Sequence, residues 1–161
     1  CRYMLALLEE RNRRVRSSLY RDSISLAMSI FTLPFAEQLV GQSEPGGLWQ
    51  NQPELNNRLW DLVHQVLAPG ALTRRAVSAS VRTLSLQTRL KKRNLKRLLD
   101  HPGYPHAREL AIIQNNVLWH EETLEDALPP PLPGAFKRSR KSRNQGHDKT
   151  AGSTQNHESQ E

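Results

Sequence analysis

Arg89, Lys91, Lys92, Arg93, Lys96 and Arg97 place six positive charges within nine residues, and Arg74, Arg75 and Arg82 extend the set upstream. At this density such side chains bind anions. Carried on a helix, they can follow the phosphates of DNA or RNA, where each contact releases counterions and makes affinity fall with salt. The competing counterpart is an acidic protein surface, and the stretch 73–100 contains none of the aromatic residues on which unpaired bases stack. An acidic candidate lies in the same chain: Glu109, Glu121, Glu122, Glu125 and Asp126 follow the short turn His101-Pro102-Gly103.

A second basic cluster, Lys137, Arg138, Arg140 and Lys141, matches the extended K-[KR]-x-[KR] pattern that nuclear import receptors read. It follows Pro129, Pro130, Pro131 and Pro133, which end regular structure and form a polyproline spacer. Residues 135–161 are so poor in apolar side chains that they are expected to stay disordered. Ser139 and Ser142 sit where phosphorylation would weaken the signal by charge. Pro130 and Pro133 form a PxxP, but no cation stands immediately beside it, so a helix stop with a spacer is the preferred reading.

Catalytic devices leave no trace. The sequence holds no GxxxxGK[ST], GxGxxG, HExxH or GxSxG, the motifs of phosphate cradles, zinc helices and nucleophile elbows. His120-Glu121-Glu122 lacks the second histidine of a zinc helix, with Leu124 in its place. His101 and His106 flank a turn without cysteine or carboxylate at ligand spacing, and His64, one turn after Trp60, reads as a partly buried histidine bonded to a neighbour. No catalytic residue, metal or cofactor is expected, and the chain is not expected to be an enzyme. Cys1 is the one cysteine, which excludes an internal disulfide. The longest uncharged run, 23–36, is shorter than the roughly 20 residues that cross a bilayer, so no membrane partner is expected.

Helices must position these groups. Tyr3 to Arg16 sets Met4, Leu5, Leu7 and Leu8 ahead of Arg11, Arg13, Arg14 and Arg16, placing positive charge at the helix C-terminus, where the dipole favours it; that end reads as solvated. From Ser18 to Thr32, Tyr20, Ile24, Ala27 and Phe31 share one row and Leu19, Leu26 and Ile30 another, which predicts burial around much of the circumference. Pro34 predicts a kink or an end. Residues 41–53 read as a loop carrying Trp49. Pro53 and Glu54 then open a helix whose stripe of Leu55, Leu59, Leu62, Val63, Val66 and Leu67 runs to Pro69-Gly70.

Thr73 can cap the basic segment. Its row of Val77, Val81, Leu84, Leu95 and Leu98 fails at Thr88 and Lys91, while Leu86 and Leu90 lie on another face, predicting a bend or a junction of two helices near Gln87. Pro105 opens the last helix, read through to Leu128, with Leu110, Ile113, Val117, Leu124 and Leu128 inward and the acids, Glu109 among them, outward. The short connection returns it antiparallel against the basic helix.

The expected architecture is all-α: an irregular multi-helix bundle, or the terminal fragment of an α-helical repeat scaffold, over 1–128, then a proline-rich spacer at 129–134 and a disordered basic tail at 135–161. The start at Cys1 rather than Met favours the C-terminal piece of a longer chain. A net charge of +7 favours acidic partners. The expected function is a non-enzymatic nuclear scaffold or protein-interaction module, a subunit of a larger complex of the chromatin-associated kind. It would hold other protein subunits through helix surfaces and an import receptor through its tail. The alternative is a DNA- or RNA-binding module that uses the basic helix 73–100.

Overall fold

The computed structural model describes residues 2–39, 52–67, 70, 72–90, 95–119 and 123–133. Among them are seven helices and no strand: α1 (Arg2–Arg16), α2 (Ile24–Leu39), α3 (Gln52–Leu67), α4 (Arg74–Leu90), α5 (Lys96–Leu99), α6 (Tyr104–Trp119) and α7 (Thr123–Ala127). The chain is an all-α, multi-helix fold.

Two helices carry the assembly. α2 lies against α1, α3, α4 and α6, and α4 lies against α2, α3 and α6. Their mutual approach is close because small hydroxyl residues face each other: Ser29 and Ser80 are fully buried and joined by a 3.0 Å hydrogen bond between their hydroxyls. Ser29 also donates to the Ser25 carbonyl at 2.8 Å, so neither hydroxyl is left as a buried, unpaired polar group. Leu26, Ile30, Leu33, Leu59, Val63, Val77, Val81, Leu84, Leu110 and Ile113 form the main core around this contact.

α2 runs on through Pro34 to Leu39, so the helix does not end at the proline. A helix-interior proline costs about 3 kcal/mol; Leu33 and Ala36 are buried on either side of it, and their packing holds the turn. α4 is likewise continuous through Gln87 to Leu90, so no junction of two helices falls at Gln87. Gln87 is a tie between helices: its amide donates to the Thr83 carbonyl at 3.1 Å and to the Ala107 carbonyl of α6 at 3.0 Å. Leu86 and Leu90, off the main stripe, are buried in a second cluster with Leu98, Tyr104 and Ala107. A helix with two buried faces has a stripe that looks broken in sequence.

The start of α4 and the end of α1 follow their capping chemistry. The Thr73 hydroxyl accepts from the Ala76 N–H at 3.2 Å, capping α4 as expected. α1 closes with Ser18 at φ 57°, the Leu19 N–H on the Arg14 carbonyl and the Ser18 N–H on the Val15 carbonyl, a Schellman arrangement with serine in the left-handed position usually given to glycine. The segment expected as one helix from Pro105 to Leu128 is described as α6 and α7, with 120–122 outside the described residues. Tyr104 donates to the Pro129 carbonyl at 2.6 Å, and Arg108 donates to the carbonyls of Leu128 at 3.0 Å and Glu125 at 2.9 Å, tying α7 and the first proline onto α6.

Candidate interaction surfaces

The basic residues separate by position. Arg75, Arg82 and Arg89 stand seven residues apart on α4 and are all exposed, on the side opposite buried Val77, Ser80 and Leu84. Seven residues are nearly two turns, so the row advances about 10 Å per arginine. Arg74 is exposed beside its start, and Lys96 and Arg97 are exposed on α5, held there by buried Leu98. Lys91, Lys92 and Arg93 lie outside the described residues, as do the tail residues Lys137, Arg138, Arg140 and Lys141.

The turn before α6 brings a further group to this row. A Cβ at Gly103 would lie 2.8 Å from Cγ and Cδ of Arg82, so the glycine lets the arginine stem cross the turn. His101 Nδ1 accepts the Gly103 N–H at 3.1 Å, which leaves the ring proton of the neutral imidazole on Nε2. Burial, and then the positive charges of Arg82 and Arg89, push the His101 pKa below the ordinary histidine value. Sequence reasoning sets His101 aside for want of ligand-spaced partners; its partners are arginines two turns apart on another helix.

Two of the acids expected to balance the basic helix, Glu109 and Glu125, are engaged elsewhere, while Glu121 and Glu122 lie outside the described residues. Glu109, expected on the outside of α6, is buried, and its carboxylate takes the Arg14 guanidinium at 2.5 and 3.2 Å. Arg14 also donates twice to Glu125 at 2.9 Å. Arg14, read from sequence as part of a solvated helix end, is 1% exposed. Burial works against its charge, but the two carboxylates outweigh it and hold the guanidinium pKa above its usual value. Burial raises Glu109 against the pull of Arg14, whereas the hydrogen bonds from Arg14 lower Glu125. Beside this cluster the Tyr20 hydroxyl bonds His106 Nδ1, Ser23 Oγ lies 3.4 Å from His106 Nε2, and burial lowers the His106 pKa. Ser23 Oγ also accepts from the Leu26 N–H at 3.5 Å at the start of α2, a capping role. His64 is exposed and rests against Trp60 with ring centroids 5.3 Å apart, so the expected partial burial is not found.

The second surface is apolar. The row Tyr20, Ile24, Ala27 and Phe31 was expected to be buried along with Leu19, Leu26 and Ile30. The structure buries Leu26 and Ile30, exposes Leu19, leaves Tyr20 and Ala27 half-buried and turns the rest of the first row outward: Ile24 is 73% exposed, Phe31 38%, and the row continues through Phe35 at 44% and Leu39 at 40%. α2 has enough neighbours to cover one side, and the side bearing Ser25, Ser29, Thr32 and Ala36 is taken because small residues admit α4 closely. An amphipathic pattern would have revealed this side in the sequence. α2 is apolar on both faces and gives none.

Searches against protein-family models, curated proteins and solved structures found no match. Among the described residues no helix is long and apolar enough to cross a membrane.

Proposed function

We propose that this chain is a non-enzymatic α-helical interaction module, a subunit that joins a larger nuclear complex through the outward face of α2. The observation that supports this reading is the exposed row Ile24, Phe31, Phe35 and Leu39 on a helix without a charged residue between Asp22 and Glu37. Aligned exposed aromatic and aliphatic side chains cost free energy in water and mark a contact site when they form one patch. Phe31 and Phe35 are 38% and 44% exposed, so covering each removes less than half of the roughly 150–250 Å² that an aromatic side chain buries in full.

The counterpart is the apolar face of a helix on another protein subunit. The row is a convex ridge four turns long, about 24 Å at 1.5 Å per residue, and a second helix meets such a ridge by setting its side chains into the grooves between residues four apart. With no charge along the ridge, the partner face has none to match. The tail signal Lys137, Arg138, Arg140 and Lys141 supports the nuclear setting, by sequence pattern.

The test is assembly. Full-length chain carrying Phe31→Glu and Phe35→Glu, expressed at native level, is expected to sediment as the separate chain while the unaltered protein sediments in a larger particle. Equal sedimentation of the two in a larger particle would contradict the α2 interface. For the tail, residues 129–161 fused to a cytoplasmic reporter are expected to draw it into the nucleus, and a reporter left in the cytoplasm counts against that assignment.

A further inference from the structure

We propose that Arg82, Arg89 and His101, with Lys96 and Arg97 on the adjoining α5, form a binding surface for the phosphodiester backbone of nucleic acid. This surface is independent of the α2 face and adds a second class of partner. It differs from a charge count along 73–100 in three ways that the structure supplies.

First, the charges are ordered. Arg75, Arg82 and Arg89 share one side of α4, so the positions that carry them recur about every 10 Å along the helix. Nucleic acid offers negative charge densely along its axis, one per about 1.7 Å of duplex, so a regular row of cations always finds phosphates in reach. Second, the row is anchored at the 101–103 turn. The Arg82 stem crosses Gly103, and Nε2–H of His101 is a donor fixed in tautomer by the bond from the Gly103 N–H to Nδ1. Arg82 and Arg89 both act on the ring through their charge, so the three groups share one positive field. A phosphate there meets two guanidinium forks and an imidazole N–H, donors suited to its oxygens.

Third, the surroundings select between acidic partners. Protein interfaces draw their affinity from a desolvated core of aromatic and aliphatic side chains. The side chains that reach the surface along this side of α4, at 75, 78, 82 and 89, are arginine and serine, with no apolar side chain among them. A surface without that core binds through counterion release, the term that dominates contact with a phosphate backbone. The same stretch has no aromatic residue for base stacking, so contact is to the backbone and independent of base sequence.

The experiment is fluorescence anisotropy with the full chain, titrated into a short mixed-sequence DNA duplex and, separately, a single-stranded RNA, across about 50 to 200 mM salt. Binding is expected to both, weakening steeply with salt. The Arg82→Gln/Arg89→Gln variant is expected to lose tenfold or more in affinity at low salt and to flatten the log–log salt slope by about two, because each arginine neutralises one phosphate. Arg58→Gln, an exposed arginine on α3, changes net charge away from the row and is expected to leave affinity within twofold. Circular dichroism checks that the variants keep the fold, and His101→Gln, which keeps a donor near Nε2, is expected to bind more tightly than His101→Ala. Binding to duplex but not RNA, or the reverse, names the backbone form and keeps the proposal. It is overturned if the double variant binds as the unaltered chain does, if Arg58→Gln loses as much, or if polyglutamate competes as well as nucleic acid at equal charge.

Discussion

Arg14 Nε donates to Glu109 Oε1 at 2.5 Å, joining α1 to α6 across 95 positions of sequence with both side chains 2% exposed. The second carboxylate on the same guanidinium, Glu125, comes from α7, so one arginine holds three helices. Removing one member of a buried pair strands the other without solvent. Arg14→Met is therefore expected to destabilise the chain by about 3–5 kcal/mol, more than Glu109→Gln, which leaves Arg14 with Glu125, and more again than Glu125→Gln, whose carboxylate is a third exposed. Urea denaturation measures the order; an Arg14→Met midpoint close to the unaltered protein would refute it.

His106 supplies a pH dependence. It sits between the Tyr20 and Ser23 hydroxyls on the first turn of α6, near Glu109, and burial lowers its pKa from the ordinary 6.5. The unfolded chain then takes up a proton before the folded one, so stability declines as pH falls from about 6.5 to the folded value, with a slope of up to about 1.4 kcal/mol per unit for one such group. His101, also lowered, acts in the same direction. Glu109, raised by burial, acts oppositely at lower pH. His106→Gln is expected to flatten the decline between pH 7 and 5, as read from denaturation midpoints; an unchanged slope would place the proton uptake elsewhere.

Ser18 occupies the left-handed region at φ 57° in the turn after α1. That conformation costs a residue with a Cβ roughly 1–2 kcal/mol, a penalty that glycine escapes. Ser18→Gly is expected to raise stability by about 1 kcal/mol, which thermal melting can check; a lower melting temperature would mean that the serine side chain itself stabilises the turn.

Two phenylalanines on α2 and one isoleucine separate contact from core. Ile30 is fully buried, and Ile30→Ala is expected to cost about 2–5 kcal/mol. Phe31→Gln and Phe35→Gln act on half-exposed side chains and are expected to cost clearly less than Ile30→Ala while improving solubility. A large loss of stability at both would assign the row to packing within the chain.

The helical fold was legible because long periodic segments and cap signals carry it: Thr73 before α4, the proline at 53 in the first turn of α3, and Leu55, Leu59 and Val63 facing inward all stand where the pattern put them. The charged residues were misplaced where pairing overrides polarity. Arg14 and Glu109 look like surface residues one at a time, and only the packing of α1 on α6 lets them be buried together. Leu86 and Leu90 interrupt the stripe in sequence because α4 has two covered sides. The α2 face was hidden for the converse reason, since a helix apolar all round does not say which side its neighbours cover. Arg82, Arg89 and His101 were within reach of sequence as charges, but their meeting depends on the turn that returns α6 along α4.

The α2 face can be tested in place by putting a photoreactive amino acid at Phe31 of the full-length chain in living cells and mapping the adducts by mass spectrometry. The expected result is a discrete cross-link to an uncharged helix face of another protein, lost when Phe35 is changed to Glu and not reproduced from position 58 on α3. Adducts confined to this chain itself, or none at all, would contradict the assignment of α2 as the surface that joins it to a larger complex.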